Sequence, residues 1–263
     1  MVDLYKDAAA QEALSLDSRF YFRCHAGLAC FNQCCQNPTV ILKPYDILRL
    51  RRRLGITATE LLEKYTTRVV EDKSLLPLVL LATRREDGEG CPFLDTEQGC
   101  TVYEDRPGAC RLFPLTQGSA LAGVTIEDAY FCKRLDFCQG FSQRQEWTVA
   151  QWKADQGLEA YDVLNHDWLE IILKRGAFNP PADDARAQTL FSLVAYDIDK
   201  FRRFVLETPF LEIFEIPSDV AEVLEKSDED LLRFGYSYLK VVLLREDARQ
   251  MKDPWQQMPL PST

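Results

Sequence analysis

A chain of 263 residues, 46% apolar and 27% charged, is long enough to bury a real core and has the balance of a globular protein rather than a disordered one. Its 41 acidic and 31 basic residues leave a net charge of −10, which excludes the positive field that non-specific binding to nucleic acid or anionic lipid requires. The longest apolar run, Leu75 to Ala82, is too short to span a bilayer, and Met1-Val2-Asp3-Leu4-Tyr5-Lys6-Asp7 lacks the basic-then-apolar pattern of a secretory leader, so no membrane span and a cytoplasmic location are expected.

Residues 1 to 20 read as a short leader with a helical turn or two. An aperiodic stretch follows, carrying Cys24, Cys30, Cys34 and Cys35. Lys43-Pro44-Tyr45-Asp46 then opens a helix, because proline suits the first turn and Ile47, Leu50 and Leu54 recur at helical spacing; Gly55 ends it. Thr57-Ala58-Thr59-Glu60 has the form of a capping box and predicts a second helix to about Val70. Residues 76 to 82 are β-like, and Arg84 to Gly90 form a polar turn region. Cys91-Pro92-Phe93-Leu94 and Cys100-Thr101-Val102-Tyr103 flank Asp95-Thr96-Glu97-Gln98-Gly99, which predicts a hairpin. Ala120 to Ile126 supplies one more strand.

Beyond Cys138 the character changes to long helices. Glu146 to about Lys174 carries Trp147, Trp152, Leu158, Tyr161, Leu164, Trp168 and Ile172 at helical intervals. Asp183 to Glu207 places Leu190, Phe191, Val194, Ile198, Phe201 and Val205 on one face. Ser227-Asp228-Glu229-Asp230 caps a third helix to about Arg249, and Pro254, Pro259 and Pro261 mark a loose tail. The aromatic residues of this half read as core, not cofactor contacts. The expected fold is α+β, predominantly α. A small irregular cysteine-rich region with short strands occupies 20–140, a helical region packed on or following it occupies 141–250, and 1–19 and 251–263 are tails. Arg49-Leu50-Arg51-Arg52-Arg53 reads as the solvated face of a helix; the sharper alternative is a docking patch for an acidic partner or a phosphate.

All nine cysteines lie between residues 24 and 138, the second group being Cys91, Cys100 and Cys110 and the third Cys132 and Cys138. A chain of this size needs no disulfides, and an odd number of thiols cannot pair fully, so metal ligation is the favoured reading. Thiolates are the soft ligands that zinc and iron–sulfur clusters prefer, and four complete a site. In a helical turn Cys30 and Cys34 share a face. Cys34 and Cys35 are adjacent and point apart, which favours two centres or one multinuclear cluster over a single mononuclear ion. Eight thiolates fill two four-cysteine sites and leave one over. His25, next to Cys24, reads as a bystander and His166 as structural. With two histidines, Ser/His or Cys/His nucleophilic catalysis has few arrangements, and no motif for it is present.

The run Cys24-x5-Cys30-x3-Cys34-Cys35, then Cys91-Pro92-Phe93-Leu94-Asp95, Cys100-Thr101-Val102-Tyr103-Glu104-Asp105-Arg106-Pro107 and Cys110-Arg111-Leu112-Phe113-Pro114, resembles the CxxCxxCC-type, YkgJ-like cysteine-cluster family, whose members are described as zinc- or iron-chelating. The resemblance spans about residues 20 to 140 and departs from the family before the double cysteine, where Phe31-Asn32-Gln33 gives three residues and no glycine. It implies zinc or iron, including an iron–sulfur cluster, on ligands drawn from Cys24, Cys30, Cys34, Cys35, Cys91, Cys100, Cys110, Cys132 and Cys138, the last two lying outside the best-matched motif. Arg106-Pro107-Gly108 reads as a tight turn returning Cys110 to the hairpin. Arg111 is placed to donate to sulfur or offset its negative charge, or else to form a surface salt bridge.

Three functions fit. The first is a metal-binding protein whose centre is structural or handles metal, the helical half docking a protein partner. The second is an iron–sulfur enzyme, such as the flagellin lysine methylases that share a similar cluster and use S-adenosylmethionine. No glycine-rich nucleotide loop follows a strand, and Cys30-x3-Cys34 only partly echoes the radical-enzyme spacing. The third is a thiol redox sensor, which needs exposed, low-pKa cysteines.

Overall fold

The computed structural model describes residues 12–85, 88–95, 97–178, 180, 181 and 184–247. The chain is α+β and mainly α, its strands all in small antiparallel pairs or triplets among the described residues. Residues 12 to 18 form no helical turn. Instead Leu14 bridges Tyr130 and β1 (Arg19–Tyr21) pairs with a later strand; the remainder of the predicted leader lies outside the described residues.

After the first cysteine loop come β2 (Ile41–Leu42) and α1 (Pro44–Leu54), bounded as read: Asp46 Oδ2 accepts from Lys43 N at 2.7 Å, and Gly55 closes the helix at φ 66°. The second helix, α2 (Ala58–Tyr65), has the predicted capping box, with Glu60 N donating to Thr57 Oγ1 at 3.2 Å and Thr57 N to Glu60 Oε2 at 2.8 Å. It stops five residues early. Thr66-Thr67-Arg68-Val69-Val70 is a β-branched run suited to a pleated surface, and it forms β3 (Thr66–Val70) against β4 (Pro77–Leu81), with β2 on the other edge of β4.

Two small hairpins follow: β5 (Arg84–Arg85) with β6 (Gly88–Glu89), and β7 (Leu94–Asp95) with β8 (Gly99–Cys100). The second is the predicted cysteine hairpin in shortened form, its turn held by Asp95 Oδ1, which accepts from Gln98 N at 2.7 Å. Helix α3 (Gly108–Leu112) and the hairpin β9 (Leu115–Ala122) and β10 (Thr125–Cys132) come next. The expected single strand over 120–126 is thus a hairpin turn: Gly123, at φ 66°, takes the left-handed conformation that side chains resist.

The long helix expected from 146 to 174 is three elements. β11 (Glu146–Thr148) pairs with β1, α4 (Val149–Asp155) is capped by Thr148, and Gly157 at φ 63° separates it from α5 (Glu159–Ala177). The next helix divides at Asp197 into α6 (Ala185–Tyr196) and α7 (Ile198–Leu206), because the Asp197 carboxylate accepts from Lys200 N at 3.3 Å and starts a new helix. Two short helices the periodicity did not reveal, α8 (Phe210–Ile213) and α9 (Ser218–Lys226), lead to α10 (Asp228–Leu244). Ser227 caps α10 as expected, and Arg245 ends it in the left-handed region at φ 60°, short of the predicted end at Arg249, which lies outside the described residues.

One hydrophobic cluster runs from Phe20 and Phe22 through α1, β4 and α4 to Phe234 and Leu239. Trp152, Trp168, Phe191 and Phe201 are all buried in it, as their helical spacing implied. Buried polar groups tie the layers: Trp168 Nε1 donates to Tyr196 Oη at 3.2 Å, and Tyr196 Oη donates to Pro77 O at 3.1 Å. The arginines of α1 are a solvated face only in part: Arg52 and Arg53 are exposed, but three of the four are paired with acids of the same chain. Arg51 lies between Asp199 (3.1 Å) and Asp228 (2.5 Å), Arg52 pairs with Glu229 (2.6 Å), and Arg49 with Asp105 (2.6 Å). Their acidic partners lie within the chain, and α1 is locked to α7 and α10.

Candidate metal centre

The first cysteine group lies on a chain of tight turns. Leu28 N donates to His25 O, Phe31 N to Leu28 O, Gln33 N to Cys30 O and Cys35 N to Asn32 O. Asn32 sits at φ 66°, a conformation asparagine tolerates better than most residues. Cys30 and Cys34 are therefore not on one α-helical face; a 3-10 turn at Gln33–Cys35 separates them. The Cys34 and Cys35 sulfurs stay 4.0 Å apart and share a hydrogen bond.

This loop faces two different parts of the chain. On one side Arg23 N donates to Gly140 O at 3.1 Å and Phe22 N to Gln145 O at 2.9 Å. Gly140 is required there, since a Cβ would stand 2.4 Å from Phe22 Cε2. The close approach brings Gln139 N to 3.2 Å from Cys30 Sγ, so Cys138 lies beside Cys30, with Cys24 next to the Arg23–Gly140 bond. On the other side Cys91 N donates to Cys35 O at 2.9 Å. The β7–β8 register sets Leu94 opposite Cys100, and Thr101 N to Phe93 O at 2.9 Å keeps Cys100 near Cys91. Cys110 arrives on α3, whose first N–H, from Gly108, donates to buried Asp46 Oδ1 at 2.8 Å.

The thiols feel one another mostly within these two sets, with Cys34 acting on both. Burial, then Cys34, Cys30 and Cys138, push Cys24 up to about 11. Burial raises Cys138 too, with Cys30 and Cys34 adding. Cys110 is driven up by burial and then by Cys91, Asp46, Cys100 and Cys34. Cys35 is raised by its hydrogen bond with Cys34, by burial and by Cys34, Cys91 and Cys110, whereas that same bond takes Cys34 down to about 7. Burial raises Cys100, and Arg106 opposes it. Cys132 belongs to neither set. It is the last residue of β10, opposite Leu115, and the charged group acting on its burial-raised thiol is Arg134.

The two arginines of the motif differ. Arg106 acts on Cys100 while stacking on Tyr103 at 3.8 Å and donating to Gln156 Oε1 at 2.7 Å. Arg111 donates to the carbonyls of Glu104, Arg106 (3.2 Å) and Gln156 (2.8 Å) and to Tyr161 Oη (3.1 Å). It clamps the Cys100–Cys110 segment onto α4 and α5; these bonds go to oxygen rather than to sulfur or to a surface carboxylate. Asp46, at the start of α1 and α3 together, was not singled out in the sequence. Burial lifts its carboxyl to about 6 against the pull of the Gly108 and Lys43 N–H groups. Nothing in the sequence near Gly140 signals its contact with Phe22.

His25 Nδ1 accepts from Gly27 N at 3.2 Å within its own turn. His166 is 61% exposed, and among the described residues its ring, Asp167 and Glu170 bring three ligand-type atoms within 4.8 Å of one another, as no cysteine set does. Those carboxylates are already neutralised, Asp167 by Lys240 at 2.8 Å and Glu170 by Lys240 at 2.5 Å and Lys174 at 2.6 Å. Thiolates on one tetrahedral zinc stand about 3.8 Å apart, from Zn–S bonds of about 2.3 Å. The cysteines are gathered by their backbones, and rotation of short side chains has to close each set. The donor chemistry, a concentration of thiolates, fits zinc or iron.

A thiol-rich domain built from short antiparallel hairpins, its cysteines converging from three segments, is the class this geometry defines. Residues 23–149 match the model of the CxxCxxCC family, described as a "putative zinc- or iron-chelating domain". The match runs past the motif to include Cys132 and Cys138 and ends at the first residue of α4. No solved structure matches the chain. Among the described residues no helix is long and apolar enough to cross a membrane.

Proposed function

We propose that this chain is a metal-binding protein that holds zinc, or iron as an iron–sulfur centre, on its clustered cysteine thiolates. The observation that carries the reading is convergence across sequence: Cys30 meets the Cys138 turn through Gln139 N, and Cys35 meets Cys91 through a backbone hydrogen bond. Each contact crosses a large part of the domain, so the fold assembles soft donors rather than leaving them where chance put them. A bound cation would favour ionised sulfur and reverse the mutual repulsion among the thiols. A reducing compartment, which keeps thiols available, suits such a protein.

Nothing comparable supports the methylase or the sensor. Strand pairs among the described residues are antiparallel, so they contain no parallel βαβ unit to cradle a nucleotide-like cofactor. The exposed thiol, Cys24, is pushed up rather than down, and Cys34, which its hydrogen bond with Cys35 lowers to about 7, is half-buried, whereas a sensor requires a thiol both exposed and lowered.

Anaerobic purification followed by elemental and sulfide analysis tests the proposal. Stoichiometric zinc in colourless protein, or iron with acid-labile sulfide in brown protein, is the expected result, and Cys34→Ser and Cys110→Ser each lower the metal content. A metal-free protein whose nine thiols all react freely would overturn it.

A further inference from the structure

The adjacent pair Cys34-Cys35 stands between two sets of cysteines that the backbone keeps apart. Towards Gln139 and Gly140 lie Cys24, Cys30 and Cys138. Towards the β7–β8 hairpin and α3 lie Cys91, Cys100 and Cys110. Cys35 is tied to the second set by Cys91 N, which donates to its carbonyl at 2.9 Å, while Cys34, its sulfur 4.0 Å from that of Cys35, borders the first set and acts on Cys24 and Cys138. The sets differ in their surroundings. Cys35, Cys91, Cys100 and Cys110 all belong to or pack against the main hydrophobic cluster, whereas of the other four Cys138 alone packs against it, Cys30 is buried outside it and Cys24 is exposed. Cys132 is at the end of a hairpin strand, held by the backbone bond of Lys133 N to Pro114 O at 2.8 Å, and the charged group acting on its thiol is Arg134 rather than another cysteine.

We infer that the domain holds two four-cysteine centres joined by one peptide bond, an inner one on Cys35, Cys91, Cys100 and Cys110 and an outer one on Cys24, Cys30, Cys34 and Cys138, with Cys132 as the cysteine that binds no metal. The assignment rests on the metal-binding reading above and goes beyond it in dividing the ligands and giving the centres different behaviour. The inner centre ties α3 and the β7–β8 hairpin to the core, so its metal leaves only when that packing opens. The outer centre has one exposed ligand on a loop of turns, and Cys24 can detach without disturbing the core. Its metal exchanges with solvent while the inner metal stays. The shared peptide couples them, since loss of the outer metal frees Cys34 beside an inner ligand.

The test uses the full-length metal-loaded protein, challenged anaerobically with excess EDTA, with the metal retained measured by elemental analysis at successive times. Two phases of near-equal amplitude are expected, the fast one at least 10-fold quicker. Cys24→Ser removes the fast phase and about half of the metal, leaving circular dichroism and the slow phase intact. Cys132→Ser retains all the metal and both phases, and in the loaded wild-type protein iodoacetamide modifies Cys132 alone. Release in a single phase, full metal content with an unchanged fast phase in Cys24→Ser, or metal loss in Cys132→Ser would each overturn the division while leaving metal binding standing. A wild-type protein without metal would sink metal binding itself, and the division with it.

Discussion

The cysteine-bearing region and the helical region are stabilised in different ways. From Glu159 to Leu244 the chain spends its residues on helices of up to 19 residues, closed over Phe191, Phe201, Leu231 and Phe234, all fully buried. Between Cys24 and Cys110 the strands other than β3 and β4 are two residues long, and the first cysteine loop buries little besides Cys30. Paired two-residue strands do not hold themselves together in water. Where a helix can bury a stripe of side chains, a loop of tight turns cannot, and cross-links have to supply what burial does not. On the proposed function, that cross-link is thiolate–metal coordination.

Metal removal is the sharpest way to break this comparison. Structural thiolate sites contribute on the order of 10 kcal/mol to the folding of small domains, and here that contribution falls on one region. Chelation under reducing conditions should abolish amide-exchange protection in residues 24–35 and 91–110, while α5, α6 and α10 keep theirs. Equal loss of protection in α10 would show that the helical region depends on the metal as much as the hairpins do.

The next largest effect concerns the lock between the regions. Asp228 receives Arg51, Arg52 and Arg202. Burial works against its charge, yet the three guanidiniums outweigh it and hold the carboxyl below its ordinary value. Asp228→Asn leaves three cations without their shared partner. Removing one member of a buried pair costs about 3–5 kcal/mol, and the partial exposure of Arg52 reduces this to about 2–3 kcal/mol here. A depressed folded-state pKa stabilises above the unfolded value and is lost as pH falls through the folded one. The variant should therefore melt well below wild type at pH 7, and the gap should narrow as pH drops under about 4. A gap independent of pH would mean that packing, not charge, joins α1 to α10.

Much of this architecture was legible in the sequence where a single residue carries the signal. Pro44 and Gly55 bounded α1, Thr57 with Glu60 opened α2, and Ser227 opened α10. The helix interruptions at Gly157 and Asp197 were missed because apolar periodicity continues across them; only the left-handed glycine and the capping carboxylate mark the breaks. The number and spacing of the cysteines pointed to metal ligation, but not to the division into two sets proposed above. That depends on Cys30 meeting Gln139 and Cys35 meeting Cys91, contacts 109 residues apart in the first case, which no local pattern encodes. Arg111 was legible as important but not in its role, because its acceptors are carbonyls and a tyrosine brought in by α4 and α5.

Two glycines offer the finest comparison, because each region contains one that a side chain would crowd. At Gly235 in α10 an added Cβ would stand 2.6 Å from Val194 Cγ1 and 2.9 Å from Phe201 Cε1; at Gly140 it would stand 2.4 Å from Phe22 Cε2. Overpacking costs about 1–3 kcal/mol, and at Gly235 the better helix propensity of alanine offsets about 1 kcal/mol of that. Gly235→Ala should lower the melting temperature by a few degrees and leave metal content whole, since α10 carries no cysteine. Gly140→Ala has a comparable steric cost but a different consequence. Phe22 has to move, and with it the Arg23–Gly140 and Gln139–Cys30 hydrogen bonds that bring Cys24 and Cys30 to Cys138. Its signature is accelerated loss of part of the metal at nearly unchanged helicity. If both variants instead lost stability and metal in proportion, the two regions would be one cooperative unit, and the division of labour between packing and coordination would not hold.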